Sequence, residues 1–553
     1  MLKRHVMIAS LAAGLLLGST PVAPAAFADT TLSVSSAGSG ATASGIFTQN
    51  NEPVANVPAF LTVADSSGNT YHLDQVSTGK DGNYKFEWTM PKQASSGTYT
   101  VTVSIQGDVQ KSTFAYTAMS GSSVITPVGL GPYRFTGELN SGRKQAVIYD
   151  TATGLLNAGG GGTTTATLDV NKALSTIRSA PSGTTDLTIS IPTRDKAAVV
   201  SVPGSIIQQV QTSYGNDAHL LVAAEAGTYD LPLKAINSLL LNAVKSATDG
   251  MLRFTIQPPT ASNANSIDWQ LVDLKAQKMV APVEFKVEAA YGGQSIPIRD
   301  YGDAFVSYSI DLTGATLKDD LVPSALFKHP ATGNLVPTPS RLYRDSVGHG
   351  KLVIMRTGNG TYVPVQAKRT FDDIRFNPRS SQIEALASRY VISGKSATQY
   401  DPNGQITRSE FATLMVRALG LSDKQGSSQF LDVPTNEWFT DTVAIGSSLG
   451  LISGNTPLQF APYDPITREQ MAALLARSLQ YVQPKPYVDT IRILAGASDR
   501  DKISSWARED VALAISTGIL SPSYAGNIEP ARPATRAESA DMLYNLLQFL
   551  KMM

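Results

Sequence analysis

The chain has 553 residues, with 45 Lys+Arg against 45 Asp+Glu and no Cys. Balanced charge argues against nucleic acid or an anionic membrane as a bulk electrostatic partner. The lack of Cys excludes disulfide staples, thiolate metal sites and a lipid-modified Cys tether. The length suits three or four domains of about 100–200 residues each, and a hydrophobic content of 42% is enough for ordinary cores.

Lys3, Arg4 and His5 form a basic start, an apolar run follows from Val6 to Leu17, and Ala26-Phe27-Ala28 has a small-x-small pattern. This order predicts a secretory signal peptide over residues 1–28, with the mature chain starting near Asp29. The run is well short of the ~20 apolar residues that a spanning helix needs, so a membrane anchor is the weaker reading. No later segment is long and apolar enough to cross a membrane, and Leu546 to Met553 carries no LPxTG-like sorting motif. The expectation is an exported protein with no membrane partner after signal cleavage, one that diffuses away or holds on by recognition.

Residues 29–118 read as β. Strand-like runs recur at Leu32–Val34, Pro58–Val63, Tyr71–Leu73, Tyr84–Trp88, Thr98–Ile105 and Thr113–Tyr116, separated by turn chemistry such as Asn50-Asn51-Glu52-Pro53 and Asp81-Gly82-Asn83. This spacing predicts a small β-sandwich. The order Gly45-Ile46-Phe47, Glu52-Pro53-Val54, Asp81-Gly82-Asn83-Tyr84 and Gly97-Thr98-Tyr99-Thr100-Val101 resembles bacterial immunoglobulin-like surface modules. Residues 119–368 mix β runs (His219–Ala224, Leu252–Ile256, Lys351–Met355) with two helical candidates, Ile206–Tyr214 and Pro232–Ser246. They predict a β-rich α+β spacer of two subdomains divided near residue 248.

From 369 onward the chain repeats itself over 369–424, 427–482 and 487–551. Ile406-Thr407-Arg408-Ser409-Glu410-Phe411 aligns with Ile466-Thr467-Arg468-Glu469-Gln470-Met471 and with Ala534-Thr535-Arg536-Ala537-Glu538-Ser539. A proline stands six residues before each Arg, at Pro402, Pro462 and Pro530. In each second helix the residues at i, i+3, i+4, i+7 and i+8, beginning at Phe411, Met471 or Ser539, form one mostly apolar face. Thr407, Thr467 and Thr535 are N-caps, and Glu410, Gln470 and Glu538 three residues later complete capping boxes. An upstream helix starts at Pro378, Trp438 or Trp506. Gly450 and Gly518 suit its left-handed C′ position, where the first repeat has Tyr390. One helix pair cannot bury its stripe alone, so the three are expected to share an all-α core.

Arg408, Arg468 and Arg536 sit at the first helical position, where the macrodipole favours anions and gives an Arg no advantage. With the free N–H groups of the helix end each would make a compact anion site, and Arg can grip a carboxylate bidentately. A solvated or salt-bridged Arg is the alternative. Trp438 and Trp506 are core anchors or sugar-stacking platforms. Asp373 and Asp432 cap loops or accept sugar hydroxyls. Gly394 and Gly454 permit tight loop geometry or close ligand approach.

These segments resemble S-layer homology (SLH) domains, whose signature is an F-x-D start, a Trp-led first helix, a Gly-containing loop and an I-T-R-A-E helix start. The resemblance implies a pseudo-threefold helical bundle with grooves between neighbouring repeats. It implies non-covalent binding of secondary cell wall polysaccharide, commonly bearing pyruvate ketals, with peptidoglycan as the other wall ligand. A location on the bacterial cell wall or surface layer follows, with self-assembly or contact with other surface proteins. A ketal carboxylate is the anion that such an Arg would hold. Three departures stand out: Pro378 in place of Trp, Ser521-Pro522 where Ser393-Gly394 and Ser453-Gly454 stand, and Ala497 near the expected Phe, with Asp499 as a counterpart of Asp432. The groove combining Arg408 with Trp438 is expected to be the best equipped.

No enzyme motif emerges. The five His residues form no H-E-x-x-H or close pair, which speaks against a zinc site. Gly446-Ser447-Ser448-Leu449-Gly450 fits G-x-S-x-G but lies in an expected helix, not at a strand-to-helix elbow. The reading is therefore a wall-anchored structural or interaction protein with no catalytic residue, metal or cofactor. The alternative is a wall-anchored enzyme or solute-binding protein with its site in 119–368.

Overall fold

The computed structural model describes residues 28–37, 40–66, 70–90, 96–105, 108–116, 143–149, 156–159, 162–191, 197–344, 350–484, 488–523 and 526–553. The expected signal peptide lies outside them, Ala28 apart. The chain divides into two compact units, Met1–Gly129 and Leu130–Met553.

In the first unit a five-stranded sheet centres on Gly40–Gln49, and a four-stranded sheet is ordered Thr70–Ser77, Pro58–Ala64, Gly97–Ile105, Asp108–Tyr116. The alternation in Gly97–Ile105 turns Tyr99, Val101, Val103 and Ile105 inward. They share one core with Phe47, Phe86 and Trp88 from the other sheet. Gly82 is needed at its turn: its φ is +69°, and a Cβ there would lie 2.4 Å from the Phe47 carbonyl oxygen.

The second unit opens with a β body built of a seven-stranded and a ten-stranded sheet. The expected division near residue 248 is absent. Ala197–Pro203 pairs with Met251–Gln257, and Gly227–Pro232 pairs with Val306–Asp311, so both sheets take strands from either side of that point. Their inner faces meet in a single core around Tyr229, Phe254, Phe285 and Tyr308. The helical candidates appear as Gly204–Tyr214 and Ser238–Ser246. Two further helices, Val170–Arg178 and Ala261–Leu274, carry side-chain caps from Asp169 and Thr260. The second of these buries only Ile267 and Leu271, too sparse a stripe to read from sequence.

The repeats are helical. Their first helices are Ser380–Ser388, Thr440–Ser448 and Arg508–Ser516, and their second helices are Arg408–Ala418, Arg468–Val482 and Arg536–Phe549. All three capping boxes are formed. Each second helix packs on the first helix of the next repeat, and the third returns to the first. A ring of backbone bonds closes the same circuit: Ile466 N–H donates to the Ile406 carbonyl at 3.0 Å, Ala534 to Ile466 at 2.8 Å, and Ile406 to Ala534 at 3.3 Å. The stripes, including Phe411, Met415, Met471, Leu475, Leu543 and Leu547, fill one common core.

Body and repeats belong to one compact unit. Arg356, fully buried on a body strand, pairs with Asp423 at the end of the first repeat and lies 3.6 Å over the Phe327 ring. Tyr481 Oη donates to Asp303 at 3.0 Å. The same junction explains Tyr390, whose φ of +63° matches the +69° and +72° of Gly450 and Gly518. Its ring lies under Arg369, and its hydroxyl donates to the Leu274 carbonyl at 3.2 Å. The side chain is retained where glycine would suit the backbone better because it docks the repeat on the body.

Candidate functional site: the inter-repeat grooves

The three arginines are not exposed cations at open helix ends. Arg408, Arg468 and Arg536 are 3%, 5% and 7% exposed. Each crosses to the loop of the next repeat. Arg408 donates from Nε to Phe460 O at 2.7 Å and from Nη2 to Ser453 O at 2.9 Å. Arg468 does the same to Ile528 O and Ser521 O, at 2.7 and 3.4 Å. Arg536 returns to the first repeat, to Tyr400 O and Ser393 O, at 2.9 and 2.8 Å. Arg408 and Arg536 also lie 4.8 and 4.7 Å over the rings of Phe460 and Tyr400. Burial pulls the Arg408 guanidinium down to about 10, with Asp464 and Asp432 pulling the other way, so it stays charged at neutral pH.

The helix-end amides are not free either, which corrects the expected anion geometry. Arg408 N–H donates to Asp464 O, Ser409 N–H to Pro462 O, and Glu410 N–H to the Thr407 cap. The neighbouring repeat's loop consumes the donors that an anion would have used. What is left for a ligand is the outer nitrogen of the guanidinium. Nη1 of Arg408 and of Arg536 donates to no acceptor among the described residues. Nη1 of Arg468 donates to Glu538 Oε1 at 2.8 Å.

Asp373 and Asp432 hold loop backbone. Asp432 accepts from Phe460 N–H and Ala461 N–H at 2.8 and 2.7 Å, and Asp373 accepts from Tyr400 N–H and Asp401 N–H at 2.9 and 2.7 Å. Asp499 makes the same pair of bonds to Ile528 and Glu529, at 2.8 and 2.7 Å, which makes it their structural counterpart. Ala461 and Asp401 have φ of +58° and +60°, so the carboxylate secures a strained turn. That turn carries the carbonyl that the Arg of the previous repeat grips.

Gly394 and Gly454 are required by close approach. A Cβ on Gly454 would lie 2.6 Å from a Phe430 ring carbon, and one on Gly394 would lie 2.5 Å from Phe371. In the third repeat the residue two before the Asp is Ala497, not Phe. The smaller side chain leaves room, and Pro522 replaces the glycine.

These parts line a cavity of about 470 Å³ formed by Arg408, the Ser453-Gly454-Asn455 loop, Gln470, Ala473, Leu474, Arg477 and Trp506. The Trp that faces Arg408 is thus Trp506 of the third repeat and not Trp438. The cyclic packing explains the correction, because the second helix of the second repeat packs on the first helix of the third. By the same circuit Trp438 precedes the helix that packs on Arg408–Ala418, beside the Arg536 joint. Both indoles are more than half exposed, at 53% and 61%. Arg477 escapes the sequence reading, and Gln470 enters it only as a capping residue. They lie seven residues apart on one helix, a spacing that keeps them on one face.

Within the body, Asp186 and Asp230 are buried and bound to Arg143, at 3.3 and 2.7 Å, with His219 Nδ1 2.7 Å from Asp230. Burial raises the Asp186 carboxyl against the pull of Arg143 and Thr185.

The S-layer homology domain family matches residues 370–412, 429–472 and 498–540. An amylopullulanase from Thermoanaerobacterium thermosulfurigenes is 34% identical over 199 residues, 36% of this chain and 10% of that protein. The surface-layer 125 kDa protein of Lysinibacillus sphaericus is 29% identical over 199 residues, 35% of this chain and 16% of its own length. An S-layer protein of Bacillus thuringiensis subsp. finitimus is 27% identical over 189 residues, 33% of this chain and 22% of that one. The chain therefore spans less than a quarter of each of these relatives. A tetra-tandem repeat in the extending region of a large adhesion protein aligns with 61% of this chain and 66% of its own at 10% identity, with a TM-score of 0.15, too low to bear on the fold. Three matched domains, arranged in a closed circuit of helices, make this chain a secreted bacterial cell-surface protein carrying three S-layer homology domains.

Proposed function

We propose that the helical repeats form a pseudo-threefold bundle that holds the protein non-covalently on the cell wall. Its grooves bind pyruvylated secondary cell wall polysaccharide. The β body is a spacer docked on that anchor, the N-terminal unit is an immunoglobulin-like sandwich, and the chain has a structural or surface-interaction role and no enzymatic one. The relatives support the anchor reading. An amylopullulanase and an exoglucanase match this chain through 10% and 18% of their length and two surface-layer proteins through 16% and 22%, which supports a shared part that serves enzymes and surface-layer proteins alike.

The observation that carries the proposal is the free Nη1 of Arg408 beside Trp506 in a cavity of about 470 Å³ lined by no carboxylate. A cation whose other nitrogens are fixed by carbonyls is pre-aimed at an acid, and the exposed indole offers a flat apolar face to a sugar ring. The test is co-sedimentation of the full chain with purified walls before and after mild acid hydrolysis, which removes pyruvate ketals. Binding is expected to be lost after hydrolysis. Equal sedimentation with both wall preparations contradicts the proposal.

A further inference from the structure

The three joints differ in charge at one repeated pair of positions. The residue two beyond the loop serine is Lys395, Asn455 or Ser523, and the third helical residue is Glu410, Gln470 or Glu538. In the first repeat Lys395 Nζ donates to Glu410 at 2.8 Å and holds that carboxylate to itself. In the second, Gln470 Nε2 donates to Asn455 Oδ1 at 3.3 Å, and neither residue is charged. In the third, Ser523 offers no cation. Glu538 turns to Arg468 at 2.8 Å and also pairs with Arg532.

We propose that Glu538 is a built-in occupant of the third groove. Its carboxylate takes the place on Arg468 that a ligand carboxylate takes on Arg408 and Arg536, so the chain binds two anionic sugars and not three. This rests on the reading of the repeats as glycan sites. Arg468 and Glu538 have side chains only 6% and 9% exposed, and separating such a pair leaves a buried charge without its partner. An incoming carboxylate would also meet Glu538 itself, and like charges at close range repel. The surroundings agree: the third groove has Pro522 in its loop, and Pro378 stands where the other two repeats carry Trp. The Arg408 groove is the converse case, with Arg408 and Arg477 lining it and the neutral Gln470 at the position of Glu538.

The test is calorimetric titration of the full chain with a methyl hexoside bearing a 4,6-pyruvate ketal. The isopropylidene ketal, which has a methyl group in place of the carboxylate, is the control. The unaltered chain is expected to show two sites for the acid. Glu538→Gln keeps the capping box, as Gln470 does in the second repeat, and releases Arg468. It is expected to raise the count to three. Three sites in the unaltered chain, or two in a Glu538→Gln chain with an unchanged unfolding midpoint, overturns the proposal. No heat with either glycoside contradicts the glycan reading itself.

Discussion

The grooves of Arg408 and Arg468 share one backbone plan and opposite electrostatics. Both arginines bridge to the next repeat through Nε and Nη2. One leaves its third nitrogen to the cavity, and the other spends it on Glu538. The difference teaches that the Arg at the helix start has two separable tasks. Joining neighbouring repeats is common to all three, whereas receiving an anion depends on the third residue of the next repeat's second helix, Gln470 beside Arg408 and Glu538 beside Arg468.

Four perturbations break or sharpen that contrast. The largest effect belongs to the joint. Arg408→Ala and Arg468→Ala each remove two charge-assisted bonds to carbonyls, so each should destabilise the chain by about 3 kcal/mol in urea unfolding. Only Arg408→Ala should lower the number of ligand sites. Next, Asp432→Ala and Asp499→Ala each free two backbone amides of a strained turn and should cost about 2 kcal/mol. Titration with the pyruvate-ketal glycoside should show about tenfold weaker binding at the Arg408 groove for Asp432→Ala and no change for Asp499→Ala.

The third perturbation is pH. Burial alone would raise the Glu538 carboxyl, but bonds from Arg532 and Thr535 N–H and the charge of Arg468 bring it down to about 2. A depressed carboxylate contributes stability that is complete above its unfolded value of about 4.3 and is lost as pH falls toward the folded value. Acid unfolding of Glu538→Gln should therefore be flatter than that of the unaltered chain between about pH 4.3 and 2. The smallest structural effect is that of Trp506→Ala. Truncating an indole that is 53% exposed should change stability by about 1 kcal/mol or less. It should still weaken ligand binding at the Arg408 groove several-fold, by titration.

Recurrence decided what the sequence could say about the repeats. Thr407, Thr467 and Thr535 with their third-position partners announce helix starts because the capping box is local, and the apolar stripes announce a shared core because they come three times. The burial of the arginines was not legible. It depends on where the next repeat places the carbonyls of Phe460, Ile528 and Tyr400. Chain order points to Trp438 as the partner of Arg408, where the fold brings Trp506, because it does not reveal in which direction helix pairs close a circuit. In the body nothing recurs. Strands such as Ala197–Pro203 and Met251–Gln257 pair across the expected boundary. The bonds of Tyr308 Oη to Asn359 and to the Gly358 carbonyl form inside the core, between residues 50 or 51 apart in sequence.

A ligand carboxylate held by guanidinium nitrogens that the fold leaves free is the centre of the proposed anchor. Competition tests it most directly. The full chain is bound to purified walls, then challenged with the pyruvate-ketal glycoside or with its neutral isopropylidene counterpart, and the released protein is measured. Release by the acid and retention with the neutral ketal is the predicted result. Equal release by both, or by neither at concentrations that saturate the calorimetric sites, contradicts it.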